Sequence, residues 1–230
     1  MSSSHTIEHI VLFKLKATTD QPSDADVDAA ADGDKMVSRI NGLISLDQVL
    51  HITAVPLRRV RSTSSELSFT HILHSRFRSK HDLTAYAVHP AHLRVVSENA
   101  PLVDDILAVD WVADYLIGSV IPPPGSAVRV ALWKLKEGVS GDERKSEILE
   151  AIRGIKEELG GVSQFSFGEN FSPERAKGFE MAFLIVFSNV RILESADSEQ
   201  WEEKFKDFVD SLLVLDFVVP SNSSEQSFGS

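Results

Sequence analysis

The chain has 230 residues, 43% hydrophobic and 25% charged, the composition of a globular protein that can bury a real core. Its formal charge of −11 argues against nucleic acid and anionic membranes as partners, since both bind through basic side chains. The absence of cysteine excludes disulfides, thiolate metal sites and cysteine nucleophiles.

No apolar run approaches the ~20 residues that cross a bilayer, and the start does not resemble a signal peptide. A cytoplasmic protein is the default expectation, with peroxisome or plastid as the alternatives if a targeting signal has been trimmed. Taken in order, residues 8–16 are rich in branched and aromatic side chains, and alternation puts His9, Val11, Phe13 and Leu15 on one face of a strand. Gln21-Pro22-Ser23-Asp24 reads as a turn and cap before a helix whose apolar positions include Val27, Met36, Val37 and Ile40; Gly33 weakens that helix and Gly42 ends it. Residues 46–55 form a second strand, the polar Arg61 to Glu66 run a loop, and Phe69 to Phe77 a third strand.

Ser79 caps the next helix, with Asp82 three residues on. Apolar positions at Leu93, Val96, Leu102, Val103 and Ile106 extend the helical pattern past Pro90, with a kink or break expected near Pro101. Residues 107–112 give a fourth strand. The order is β-α-β-β-α-β, a ferredoxin-like unit.

Ile121-Pro122-Pro123-Pro124-Gly125 marks a boundary, and the second half of the chain repeats the first unit. Arg129 to Lys136 matches His9 to Lys16, with Trp133 in place of Phe13. A helix is expected over Gly141–Leu159, strands over Val162–Phe167 and Phe179–Phe187, a long helix over Asp197–Leu212, and a last strand at Val214–Val218. The expected organisation is α+β: units at 8–120 and 126–220, then a disordered tail at 221–230. Each bare sheet face is satisfied by packing on the other, an intrachain pseudo-dimer.

The chemically dense stretch is Tyr86-Ala87-Val88-His89-Pro90-Ala91-His92, and all eight histidines lie at or before it. Imidazole titrates near neutral pH and suits a general base, while a phenol can polarise a carbonyl oxygen. Tyr86 and His92, six residues apart, would diverge on a straight helix, so Pro90 has to reorient the chain before they converge. An all-imidazole metal site built from His9, His71, His89 and His92 is the other use of these groups; without a carboxylate or cysteine the signal is weak. In the second copy, Ile192, Ser195 and Ser198 stand opposite Tyr86, His89 and His92, and Arg129 replaces His9, so any active pocket belongs to the first unit.

The Phe-Lys-Leu-Lys end of the first strand, Thr70-His71, His89-Pro90-Ala91-His92 and Val109-Asp110-Trp111 together resemble the stress-responsive A/B barrel (Dabb) domain family, in particular its tandem plant members. The resemblance implies a dimeric α+β barrel closed within one chain. It also implies a stress or defence role in which a small apolar ligand binds near His9, Val11, His71 and His89. A polyketide cyclase in the family implies the alternative, an enzyme with His92 as general base and Tyr86 as carbonyl anchor. The walls differ from that cyclase, with Ala29, Ala30, Gly33, Val95 and Val103 where it has aromatic residues. A non-catalytic interaction module is the third reading. Some members hold magnesium through backbone carbonyls, whose counterparts here are Val37, Ile40, Asn41 and Leu43.

Overall fold

A computed structural model describes residues 6–16, 25–64, 67–113, 116, 118–139, 142–196, 203 and 205–221, with the side chains of 25–30, 142–145 and 156–158 left aside. The first unit runs β1 (Thr6–Leu15), α1 (Ala25–Asn41), β2 (Val49–Pro56), β3 (Arg59–Ser62), β4 (His71–Phe77), α2 (Lys80–Ala87), α3 (Pro90–Asn99) and β5 (Val103–Ala113). The second runs β6 (Ala127–Leu135), α4 (Asp142–Glu158), β7 (Val162–Glu169), β8 (Met181–Phe187), α5 (Val190–Ser195) and β9 (Val209–Val218). The antiparallel sheets are ordered β2-β4-β1-β5 and β3-β9-β6-β8-β7, which is ferredoxin-like order in each unit, with β3 added to the second sheet.

Alternation on β1 sends Ile10 and Leu12 one way and Val11 and Phe13 the other. Ile10, Leu12, Ile72, Leu107, Val109 and Trp111 meet Val128, Val130, Leu132, Leu184, Val186, Leu215 and Phe217 in one core between the two sheets. On the opposite face Val11, Phe13, Leu73 and Phe77 pack under Met36, Ile40 and Tyr86 of the first unit's own helices. Each sheet is thus covered on both faces, which is what an apolar sheet needs to be stable in water.

Two seams join the sheets. Along one, β3 pairs with β9, Val60 opposite Leu215. This corrects the loop expected from Arg61 onward: Arg59-Val60-Arg61-Ser62 has no apolar periodicity, and becomes a strand because the β9 edge offers its backbone groups. Along the other, Trp111 bridges Asn170, and Gly168 permits the approach, since a Cβ there would lie 2.9 Å from both Trp111 and the Val112 carbonyl.

A polar cluster is buried among these apolar side chains. Arg76 Nε donates to both Glu8 oxygens at 3.0 Å, His74 Nε2 lies 2.7 Å from Glu8, and Arg76 Nη1 donates at 2.7 Å to Gln164 of the second unit. Although burial by itself would raise it, the Arg76 and His74 charges hold the Glu8 carboxyl down at about 2. His51 nearby is pushed down to about 2, first by burial and then by those cations.

Other boundaries shift. Val103 and Ile106, expected to be helical, belong to β5; α3 ends at Asn99 and Pro101 lies in a 3-10 turn, where its missing N–H costs nothing. The long second-unit helix expected over Asp197–Leu212 is corrected at its end: Glu203 and Phe205 are helical, Val209–Leu212 is already strand, and residues 197–202 and 204 lie outside the described residues; ahead of that range Val190–Ser195 forms a short helix capped by Asn189. Trp201, Ser198, the turn at 21–24 and the tail beyond 221 lie outside the described residues. Among the described residues no helix is long and apolar enough to cross a membrane.

Candidate functional site

Between the first sheet and its helices lies a cavity of about 490 Å³, with His9, Val11, Phe13, Leu73, Tyr86, His92 and Val95 among its lining residues. His9, Val11 and Phe13 reach it by alternation on β1. Tyr86 and His92 reach it through the break between α2 and α3. There His89 is extended, its Nδ1 accepts the Ala91 N–H at 3.2 Å, and Pro90 takes the first helical position. The two helices fold back until the Tyr86 and His92 rings lie 4.4 Å apart.

That geometry sets the protonation of each group. His92 Nδ1 lies 3.0 Å from the Ala87 carbonyl, which can only accept, so Nδ1 carries the proton and Nε2 is the basic nitrogen. Burial, and then the charges around it, hold His92 below the ordinary imidazole range despite that bond, so the ring is neutral at neutral pH. Tyr86 is buried and its hydroxyl has no hydrogen-bond partner within the protein. Burial raises its pKa, so it remains a phenol with a proton to donate.

His9 is oriented by Asp110, which faces it across the β1–β5 ladder and contacts Nδ1. Burial would raise the Asp110 carboxyl, but His9, Ser172 and Arg175 outweigh it and hold the group ionised. Asp110 was not among the residues expected at the site. The signal was present in the repeat, where Arg129 and Asp216 occupy the same pair of positions.

The second unit also contributes directly, which the single-unit reading missed. Phe171, Ser172 and Arg175, in the loop after β7, line the cavity. Asn170 Oδ1 accepts the Asp110 N–H at 3.0 Å and the Phe171 N–H donates to the Asp110 carbonyl at 2.9 Å, pinning this loop over the site. A loop in the other unit carries no local sequence mark of such a role.

Two expected residues stand apart. His71 Nδ1 lies 2.9 Å from the Thr70 hydroxyl, and its ring packs against Gly33 of α1, where a Cβ would sit 3.1 Å from Nε2. His89 serves as the α3 cap. Neither lines the cavity, and among the described residues no group of three or more metal-ligating side chains forms.

The magnesium counterparts, the backbone carbonyls of Val37, Ile40, Asn41 and Leu43, lie at the end of α1 and in the turn after it. They supply no carboxylate, the usual protein ligand of magnesium. The Leu43 carbonyl accepts the Leu46 N–H at 3.1 Å, and the Asn41 side chain is engaged with both backbone groups of Ala54, at 2.7 and 3.0 Å.

The comparisons with known proteins agree with this architecture. The stress responsive A/B barrel domain (Dabb) matches twice, over residues 7–113 and 127–219. One stress-response A/B barrel domain-containing protein of Arabidopsis thaliana is 47% identical over 230 residues, covering 97% of this chain and 82% of that protein. A second stress-response A/B barrel domain-containing protein of Arabidopsis thaliana is 43% identical over 222 residues, covering 96% of this chain and 100% of that protein. A solved anthrone oxidase-like protein superposes with a TM-score of 0.59 over 100% of this chain and 98% of its own, at 10% identity, which shows the fold alone. Matched in both halves by the domain and along nearly its whole length by these relatives, the chain belongs to the stress-responsive A/B barrel (Dabb) family.

Proposed function

We propose that this protein is a stress-response or defence-associated binding protein that takes a small, largely apolar ligand into the first unit's cavity. The observation that carries the reading is the Tyr86 hydroxyl, buried in the cavity lining without a partner. A buried donor left unpaired costs about 1–3 kcal/mol, so folding alone gives no reason to keep it; a ligand oxygen would satisfy it. The walls around it, Val11, Phe13, Leu73 and Val95, suit an apolar body.

The test is a titration with an uncharged apolar fluorophore, N-phenyl-1-naphthylamine. Binding by the parent and its loss in Val95→Trp, which fills the cavity, is the expected result. No binding by the parent would overturn the reading.

A second reading, favoured by the neutral His92 with Nε2 available, makes the same cavity a cyclase or isomerase site. His92 would take a proton beside a carbonyl whose oxygen Tyr86 holds, and the His9–Asp110 pair would stand ready to accept or return a proton. Linear polyketides are the substrates to assay. Turnover in the parent that falls by a factor of about 10²–10⁴ in His92→Ala supports this reading, and no turnover in the parent removes it.

A further inference from the structure

Two cations at the rim of the cavity narrow the chemical class of its ligand. Lys80 opens α2, Arg175 closes the 3-10 turn after β7, and both line a cavity whose walls are otherwise mainly apolar. They come from different units, and the Lys80 ammonium lies 3.9 Å above the ring of Phe171, a second-unit residue that also lines the cavity. That contact holds the ammonium at the rim without consuming its charge.

Elsewhere several cations of this acidic chain meet carboxylates, among them Lys14 with Asp104, Arg39 with Glu98, Arg58 with Glu194 and Lys177 with Asp105. Among the described residues neither Lys80 nor Arg175 has a carboxylate within ion-pair distance, although the chain carries 34 acidic residues against 23 basic ones. The one carboxylate on the lining, Asp110, is already engaged by His9. An acidic protein repels anions at long range, so two unpaired cations at a cavity mouth act as a local exception to its field.

Resting on the ligand-binding reading above, we propose that the cavity's ligand is an amphiphilic anion. Its apolar body lies against Val11, Phe13, Leu73 and Val95, and its acidic group, a carboxylate or sulfonate, sits at the rim between Lys80 and Arg175. The rim is a two-unit device. The first unit supplies the cavity, and the second supplies the guanidinium that completes the anion's seat, a group well suited to carboxylates.

The experiment compares two dyes with the same aromatic body, 1-anilinonaphthalene-8-sulfonate, which is anionic, and N-phenyl-1-naphthylamine, which is uncharged. The parent is expected to prefer the anionic dye by about tenfold or more, an advantage that shrinks as salt screens exposed charge. Lys80→Gln and Arg175→Gln should each lower the ratio of the two affinities several-fold, and the double variant should bring it near one. Val95→Trp checks that both dyes occupy the cavity. Equal affinity of the parent for the two dyes, or equal weakening of both in the rim variants, overturns the anion proposal and leaves the cavity reading standing. Failure of the parent to bind either dye removes both.

Discussion

His9 faces Asp110 across the first unit's β1–β5 ladder, and at the same place in the second unit Arg129 faces Asp216 across β6 and β9. The strands are the same but the consequences differ. Arg129 forms a buried two-pronged ion pair, Nε to Oδ1 at 2.7 Å and Nη2 to Oδ2 at 2.9 Å, in which the guanidinium fork is committed to its aspartate. His9 instead contacts its aspartate through one ring nitrogen and turns toward a cavity. The aromatic residues diverge in step. Trp133, in the place of Phe13, packs 4.4 Å from Phe205 and 5.2 Å from Phe183, filling the volume that stays open beneath the first unit's helices. The duplication separates two demands that one unit could not meet together, a dense core and a hollow one.

The strongest way to break this comparison is at the paired positions themselves. Arg129→Ala leaves Asp216 buried and uncompensated, and should cost about 3–5 kcal/mol in urea denaturation. His9→Ala leaves Asp110 beside a cavity that can admit water, with the Ser172 contact retained, and should cost about 1–3 kcal/mol. Equal losses in the two variants would mean that the first pair is as purely structural as the second.

Acid separates the units by another route, because every histidine lies in the first. His51 has its folded pKa pushed down to about 2, while the unfolded chain takes up that proton from about pH 6.5 downward. The unfolded state therefore binds more protons across that window, and stability falls as pH falls by up to about 1.4 kcal/mol per pH unit for this group. Glu8, held at about 2, adds the same sign below its unfolded value near 4.5: its contribution is present above that pH and is lost as pH falls toward 2. His51→Gln should flatten the fall in the urea midpoint between about pH 6.5 and about pH 5 by roughly one proton's worth, with the steeper loss below retained. An unchanged profile would place the acid sensitivity elsewhere.

How much of this was legible in the sequence depends on whether the cause was local. Alternation on the first strand and the proline after His89 are local signals, and from them come the shared face of His9, Val11 and Phe13 and a broken helix near Tyr86 and His92. The repeat made the sheet-on-sheet arrangement readable. Contacts between the halves were not: β3 is polar and becomes a strand only against β9, and Phe171, Ser172 and Arg175 reach the cavity from the opposite unit because Asn170 anchors their loop to β5. His71 shows the converse. Its position at a strand start suggested the pocket, but Thr70 and the close passage of α1 at Gly33 hold it aside.

Tyr86 gives the smallest expected stability effect and the sharpest contrast with its counterpart, Ile192, which packs against the second unit's core. In Tyr86→Phe the ring keeps its contacts with Phe77 and His92, at 5.0 and 4.4 Å, and loses only a hydroxyl that bonds nothing in the protein. Removing a buried, unsatisfied donor relieves a desolvation cost, so the midpoint of thermal unfolding should stay level or rise, by about 1 kcal/mol in equivalent stability. Binding of a carbonyl-bearing apolar ligand should weaken by a comparable amount, since the ligand oxygen loses its donor. A hydroxyl serving only the fold would give the opposite pair of results, lower stability and unchanged affinity, and the two measurements on this one variant decide whether the hollow unit is kept for a ligand.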